Sequence, residues 1–268
     1  MGVKRDRWKP DFYATSSLIW PCPSCGASPL RIIRETLADG QTRASKALQR
    51  NDWAGPEHVD GRFSCLMDCA NCGTTVGVAG AFQFEDNRRL DERRGEVGDF
   101  DKRYSVRYFT ESPLLVDIPE ATPEPVVDEL LASFQLFWSD PQACANRIRS
   151  AVERLLTSQK VPQTNGKSAK TGGRKSLTLH ARIERYRAKQ PSVADKLMAV
   201  KWIGNAGSHA SAITTEDTLD GYEILDWVLD TLYARRHRRA SALSTAINRR
   251  HAPRSRRRPS SHKLPDER

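Results

Sequence analysis

Two short segments, WPCPSCG (Trp20–Gly26) and CANCG (Cys69–Gly73), constrain this chain more than any other feature. Each sets two cysteines two residues apart and follows them with a glycine. A two-residue spacer lets both sulfurs of one turn face a single ion, and the glycine permits the tight backbone bend that follows. Taken together, Cys22, Cys25, Cys69 and Cys72 form a four-thiolate set, which predicts one structural Zn2+ ion. Four thiolates leave no open coordination position, so this metal is a staple and not a catalyst. The competing readings are weaker. The N-terminus, MGVKRDRWKPDFYATSS, lacks the apolar stretch of a secretory signal, and disulfides are uncommon outside oxidising compartments. A redox C-x-x-C needs no second copy. Cys65 stands four residues before Cys69 and could also supply a ligand, but the alternating GRFSCLMDC places it in a strand. Cys144, between Ala143 and Ala145, reads as a small buried residue.

The first 110 residues hold five of the six cysteines and many turn residues. TTVGVAGAFQFE (Thr74–Glu85) and RYSVRYFT (Arg103–Thr110) read as strands. This region looks too polar to build a strong core alone, which gives a metal staple a physical purpose. Pro113, Pro119, Pro123 and Pro125 then mark a connector that blocks regular structure.

From about residue 124 the apolar period becomes helical. Val127, Leu130, Leu131, Phe134, Phe137 and Trp138 line one face of a first helix. Ser139-Asp140-Pro141 opens a second, striped by Ile148, Val152, Leu155 and Leu156. A Gly/Lys/Ser-rich stretch without acidic residues (158–176) reads as a mobile basic loop. Leu179, Ile183 and Tyr186 make a third helix, ended before Pro191. Ser192 can cap a fourth, carrying Val193, Leu197, Val200 and Ile203, with Asp195 as a capping-box partner. Thr214 or Thr215, then Glu216 and Asp217, open a fifth, whose stripe runs from Leu219 to Leu232. Such helices bury their stripes by packing on one another, so a bundle is expected.

The formal charge of +10 belongs to the C-terminus. Residues 234–268 carry twelve Lys/Arg against two acids, leaving 31 of each sign in the preceding 233 residues. This tail is poor in large apolar residues and reads as disordered, either a salt-sensitive grip on RNA (favoured), DNA or an acidic partner, or a solubilising tail with incidental affinity for polyanions. No apolar run is long enough to cross a membrane, so a cytoplasmic protein without a membrane partner is expected.

The order of these motifs carries a resemblance: WPCPSCG, CANCG, a proline-rich connector, NRIRSAVERLL, and KWIGNAGSHA followed by TTEDTLDGYEILDWVLDTLY. It resembles a family catalogued as a domain of unknown function and associated with restriction endonucleases, which looks like a divergent branch of the HEPN superfamily of helical bundles. The likeness covers the cysteine motifs and most of residues 113–233. It implies a prokaryotic defence or restriction setting, with a protein partner of such a system, a homodimer, and metal-independent ribonuclease chemistry. That superfamily's motif places an arginine before a polar residue and a histidine a few positions on. Here Asn205 matches the polar residue and His209 the histidine, while Gly204 stands in the arginine's place. The restriction-associated branch tends to carry a basic residue one turn earlier, here Lys201. The resemblance also places Arg149 and Glu153 near the polar centre of the bundle, where Arg149 could supply the missing cation. An internal Arg149–Glu153 salt bridge is the structural alternative. Gly204 and Gly207 would admit a neighbouring helix.

The expected architecture is therefore α+β: an N-terminal zinc ribbon with short strands (1–112), an all-α HEPN-like bundle (113–236) and a disordered Arg-rich tail (237–268). The expected function is nucleic-acid-associated, as an endoribonuclease using His209, Asn205, Lys201 and Arg149. The alternative is a non-catalytic adaptor or dimeric scaffold.

Overall fold

A computed structural model describes residues 5–87, 89–91, 95–97, 100–167, 174–206 and 213–250. A 3-10 turn (Arg5–Trp8) precedes β1 (Asp11–Phe12), β2 (Leu30–Gln41), α1 (Arg43–Leu48), β3 (Asp60–Cys69), β4 (Thr75–Asp86), β5 (Arg89–Asp91), β6 (Gly95–Val97) and β7 (Phe100–Phe109). The second half comprises α2 (Glu124–Phe137), α3 (Pro141–Ser158), β8 (Thr164–Lys167), β9 (Arg174–Ser176), α4 (Leu179–Arg187), α5 (Pro191–Ala206), α6 (Thr215–Tyr233) and α7 (Arg235–Arg250).

Period-2 patterning builds the first half. In β3, Phe63, Cys65, Met67 and Cys69 are buried while Arg62, Ser64 and Leu66 face out, as a sheet with one covered face requires. β4 and β7 repeat the alternation through Val76, Val78 and Phe82, and through Tyr104 and Val106. The five strands β1-β7-β4-β3-β2 pair antiparallel in that order. Register sets the ends of this sheet. Leu30 of β2 lies opposite Cys69 of β3, and Gln41 lies opposite Gly61. Both C-x-x-C turns thus sit at one end, and α1 connects the strands at the other, roughly 25 Å away by strand rise.

This corrects the expected ribbon of short strands followed by an all-α bundle. Four strands of ten to twelve residues, β2, β3, β4 and β7, form a large N-terminal sheet together with the short β1. The region is also less dependent on a staple than its polarity suggested. Phe12, Trp20, Phe63 and Tyr104 meet with ring centroids 5.0–5.9 Å apart, and Trp8 and Phe82 are buried with them. These aromatics are scattered in sequence, so no local window registers them as one core. The 158–176 stretch contains the β8–β9 hairpin, so the second half is not purely helical. Residues 235–250 of the basic tail form α7, not disorder: alanines and arginines are good helix formers even without a core to join.

The helices follow their patterning closely. Asp140 caps α3 by accepting from the Ala143 N–H, and Thr214 and Asp217 complete a reciprocal capping box on α6. Two details move. α5 begins at Pro191, so Ser192 lies inside it, and Val126 is buried in α2 while Leu131 is exposed. Ser133, Cys144 and Tyr222 form a buried polar chain: the Tyr222 hydroxyl donates to Ser133 Oγ at 2.7 Å, and Cys144 Sγ lies 3.1 Å away. Burial pushes the Cys144 thiol up to about 12, the behaviour of an inert packing residue.

Arg182 closes the C-terminal end of α3. It is 6% exposed and donates to the Glu153 and Val161 carbonyls at 3.2 and 3.3 Å and to Thr157 Oγ1 at 2.8 Å. A cation here complements the C-terminal end of the helix and pairs with the Val161 carbonyl just beyond it. Arg182→Met is expected to destabilise the protein by about 2–3 kcal/mol through the lost bonds to Thr157 and to the Val161 carbonyl, read as a lower urea midpoint at unchanged m-value.

Sheet and bundle share one core. Trp20 packs on Phe109 and Trp138 at 5.5 and 5.6 Å, and Phe109 on Trp138 at 4.8 Å. At the chain start, Arg5 binds three carboxylates of α6: Glu216 at 2.9 Å, Glu223 at 3.2 Å, and Asp220.

Candidate metal centre and helical site

The sheet end builds the first site. Both C-x-x-C turns close identically: the Gly26 N–H donates to the Cys22 carbonyl and the Gly73 N–H to the Cys69 carbonyl, each at 2.9 Å. Gly26 and Gly73 have φ of 62° and 75°, the left-handed region in which a side chain is strained. The β2–β3 pairing, Leu30 against Cys69, brings the two turns face to face. The sulfurs of Cys22, Cys25, Cys69 and Cys72 then lie within 4.8 Å of one another, close enough to bind one metal ion. Cys22–Cys72 and Cys25–Cys69 are each 3.6 Å apart. A tetrahedron with metal–sulfur bonds of about 2.3 Å has edges of about 3.8 Å, so the thiol set fits a tetrahedral ion. The Thr74 hydroxyl and backbone hold the Cys72 thiol down to about 6, which favours the thiolate that metal binding needs. None of the six cysteines is in a disulfide. Cys65 stays outside the group, buried on the core side of β3, where desolvation raises its thiol to about 11.

The end of α5 holds the second set. Lys201 is 8% exposed, with Nζ 3.4 Å from the centroid of the Trp202 ring. Among the described residues, no carboxylate pairs with it. Arg149 on α3 pairs with Glu153 at 3.3 Å, and its Nε is buried without a hydrogen-bond partner. Gly204 explains how α3 and α5 meet. A Cβ at Gly204 would stand 2.9 Å from Arg149 Cβ, 3.2 Å from Arg149 Cδ and 3.3 Å from the Ala145 carbonyl oxygen. The aliphatic stem of Arg149 therefore occupies the space that a side chain at 204 would need. Asn205 follows in α5. His209 and Gly207 lie outside the described residues, so the geometry brings together Arg149 and the helix carrying Lys201 and Asn205.

Residues 10–109 match a family model described as Domain of unknown function (DUF8608), and residues 132–250 match one described as Domain of unknown function (DUF4145). The first likeness spans the five-stranded sheet from β1 to β7. The second begins within α2, runs through the β8–β9 hairpin and takes in α7. No curated protein and no solved structure matches the chain. No helix among the described residues is long and apolar enough to cross a membrane.

Proposed function

We propose that the helical half handles nucleic acid, RNA foremost, as a metal-independent endoribonuclease of the HEPN-like kind that its motifs resemble. The observation that supports this reading most is the packing of Arg149 on Gly204. The resemblance calls for an arginine immediately before Asn205. Arg149 rises from α3 against that same position, and its Nε has no partner to satisfy it. In this scheme Arg149 and Lys201 neutralise charge on a scissile phosphate, and Asn205 orients the phosphate or the histidine. His209 moves the proton as the ribose 2′-oxygen bonds to phosphorus and the 5′-oxygen departs. The basic tail holds the strand nearby, and a second copy of the chain completes the site. We assign the thiolate centre to Zn2+ in a purely structural role, on the fit of its sulfur spacing to a tetrahedral ion.

Cleavage of a labelled RNA in the presence of a magnesium chelator tests the reading. His209→Ala is expected to slow single-turnover cleavage by about 10²–10⁴-fold, and Arg149→Ala to slow it while leaving the melting temperature near that of the parent. Equal cleavage by parent and His209→Ala would sink the enzyme reading and leave an adaptor, with Arg149–Glu153 as a solvent-exposed i,i+4 pair on α3.

A further inference from the structure

At the end of the sheet away from the cysteines, the chain leaves β2 and returns to β3 through α1 and a turn. This excursion is fixed to the sheet. Thr42 caps α1 by accepting from the Ser45 N–H at 3.1 Å, and its hydroxyl lies 3.2 Å from both Asp60 carboxylate oxygens. Ser45 Oγ, in turn, accepts from the Asp60 N–H at 3.2 Å. The outer side of α1 is different in kind. Arg43, Lys46 and Arg50 follow at intervals of three and four residues, so they share one face, and the Arg50 N–H still bonds the Ala47 carbonyl. All three are exposed, and together with Ala47 they line a hollow of about 450 Å³. Among the described residues, none of the three has an ion-pair partner. The same turn holds out Trp53, which is 64% exposed, more than any other large apolar side chain described. Its ring meets the edge of His58 at 5.2 Å. The acids of the excursion, Asp52 and Glu57, do not neutralise the cations: Glu57 is turned to His58 at 3.4 Å.

We propose that this excursion is a second nucleic-acid contact, which binds a single-stranded polynucleotide. Arg43, Lys46 and Arg50 hold successive phosphates, and Trp53 stacks on an unpaired base. Three cations without ion-pair partners on α1 and the turn that follows it repel one another unless a polyanion meets them. A large exposed indole beside them adds what a phosphate backbone alone does not use and a base does. A cationic row with an adjacent ring is the pairing that single strands require, since every base offers a π-face. An acidic polypeptide would use the cations and leave Trp53 without a role. The contact stands on the sheet half, roughly 25 Å from the cysteine end by strand rise, and it does not depend on whether the bundle cleaves RNA.

The test uses the full chain and labelled 12-nucleotide oligo-U and oligo-dT, with a duplex of matched length. Binding is measured by fluorescence anisotropy across 50–200 mM salt, and contacts are mapped by ultraviolet crosslinking and peptide mass spectrometry. Crosslinks are expected in the peptide that carries Trp53. Trp53→Ala is expected to weaken single-strand binding about tenfold and duplex binding far less. The triple change Arg43→Ala, Lys46→Ala and Arg50→Ala is expected to flatten the slope of log K against log salt by about 2. All these side chains are exposed, so melting temperatures serve as the folding control. Preference for oligo-U over oligo-dT identifies RNA as the natural strand, and equal binding identifies single strands of either sugar. Crosslinks confined to residues 235–268, or a triple variant with an unchanged slope, would overturn the proposal. So would poly-glutamate binding that is lost in the triple variant while Trp53→Ala leaves oligonucleotide binding intact. Loss of cleavage in His209→Ala with these results unchanged would separate this contact from the bundle site.

Discussion

Removing the metal, or replacing Cys22 and Cys69 together by serine, is expected to unfold the cysteine end of the sheet and expose its core. The two C-x-x-C turns meet through their sulfurs, through Asn71 Nδ2 donating to Cys25 Sγ at 3.6 Å and the Thr74 hydroxyl donating to Ser24 Oγ at 3.1 Å, and through the adjoining β2–β3 pairing. Four thiols within 4.8 Å of one another become four thiolates when a cation binds, and without it only weak thiol hydrogen bonds replace the metal–sulfur bonds. Binding to such a site is worth about 10–16 kcal/mol in small domains that fold only with zinc. Part of that is retained here, because the aromatic cluster of Phe12, Trp20, Phe63 and Tyr104 does not depend on the ion. The expected outcome is one zinc per chain by elemental analysis, and a chelator-induced transition seen in near-ultraviolet circular dichroism as Trp20 loses its packing. The helical far-ultraviolet signal would persist through that first step. Zinc retained by the double serine variant, or a chelated protein with unchanged aromatic spectra, would falsify the assignment.

Trp138→Ala is the second change with a large expected effect, about 3–5 kcal/mol. Trp138 ends α2 at the point where the bundle meets the sheet. Its ring touches Trp20 at 5.6 Å, Phe109 at 4.8 Å and Phe137 at 5.2 Å. Its Nε1–H donates to Ser112 Oγ at 2.9 Å, and that hydroxyl also lies 3.0 Å from the Phe134 carbonyl. Truncation removes three ring contacts and leaves a buried hydroxyl one partner short. Because these contacts join the two halves, denaturation is expected to change from one transition to two, with the sheet and the bundle reporting separately. Trp138→Phe keeps most of the packing and loses only the hydrogen bond, so its smaller cost divides the effect between the two causes. A single transition at an unchanged midpoint in Trp138→Ala would mean that the coupling of the two halves does not run through this ring.

How much of this was legible in the sequence depends on how local each signal is. The clustering of Cys22, Cys25, Cys69 and Cys72 was legible, because C-x-x-C-G encodes its own turn and one strand pairing brings the two turns together. The helices were legible from their 3.6-residue period, and the Asp140 and Thr214 caps from their chemistry. The sheet was underestimated for a physical reason. β2, LRIIRETLADGQ, is an edge strand with a register shift between Ile33 and Ala38. Its burial does not alternate, so no period-2 pattern announces twelve residues of strand. α7 was missed because composition alone suggested disorder, while helix propensity needs no apolar stripe. Arg149 was singled out as a cation, but its approach to Gly204 crosses 55 positions, and spacing along one chain cannot show that. The cationic face of α1 is not legible in the sequence, because RASKALQ followed by arginine reads as ordinary solvated surface.

The Arg5 contact has a consequence for the order in which the protein is assembled. Its partners on α6 are separated from it by 211 residues or more. At about 5–20 residues per second, the ribosome delivers them roughly 10–40 s after Arg5 emerges. The strands and both cysteine turns are complete long before that, so the sheet can close and load its ion while the bundle is still being made. The Arg5 turn, synthesised before the sheet, is among the last parts to be fastened. In this protein that turn records that translation has reached α6.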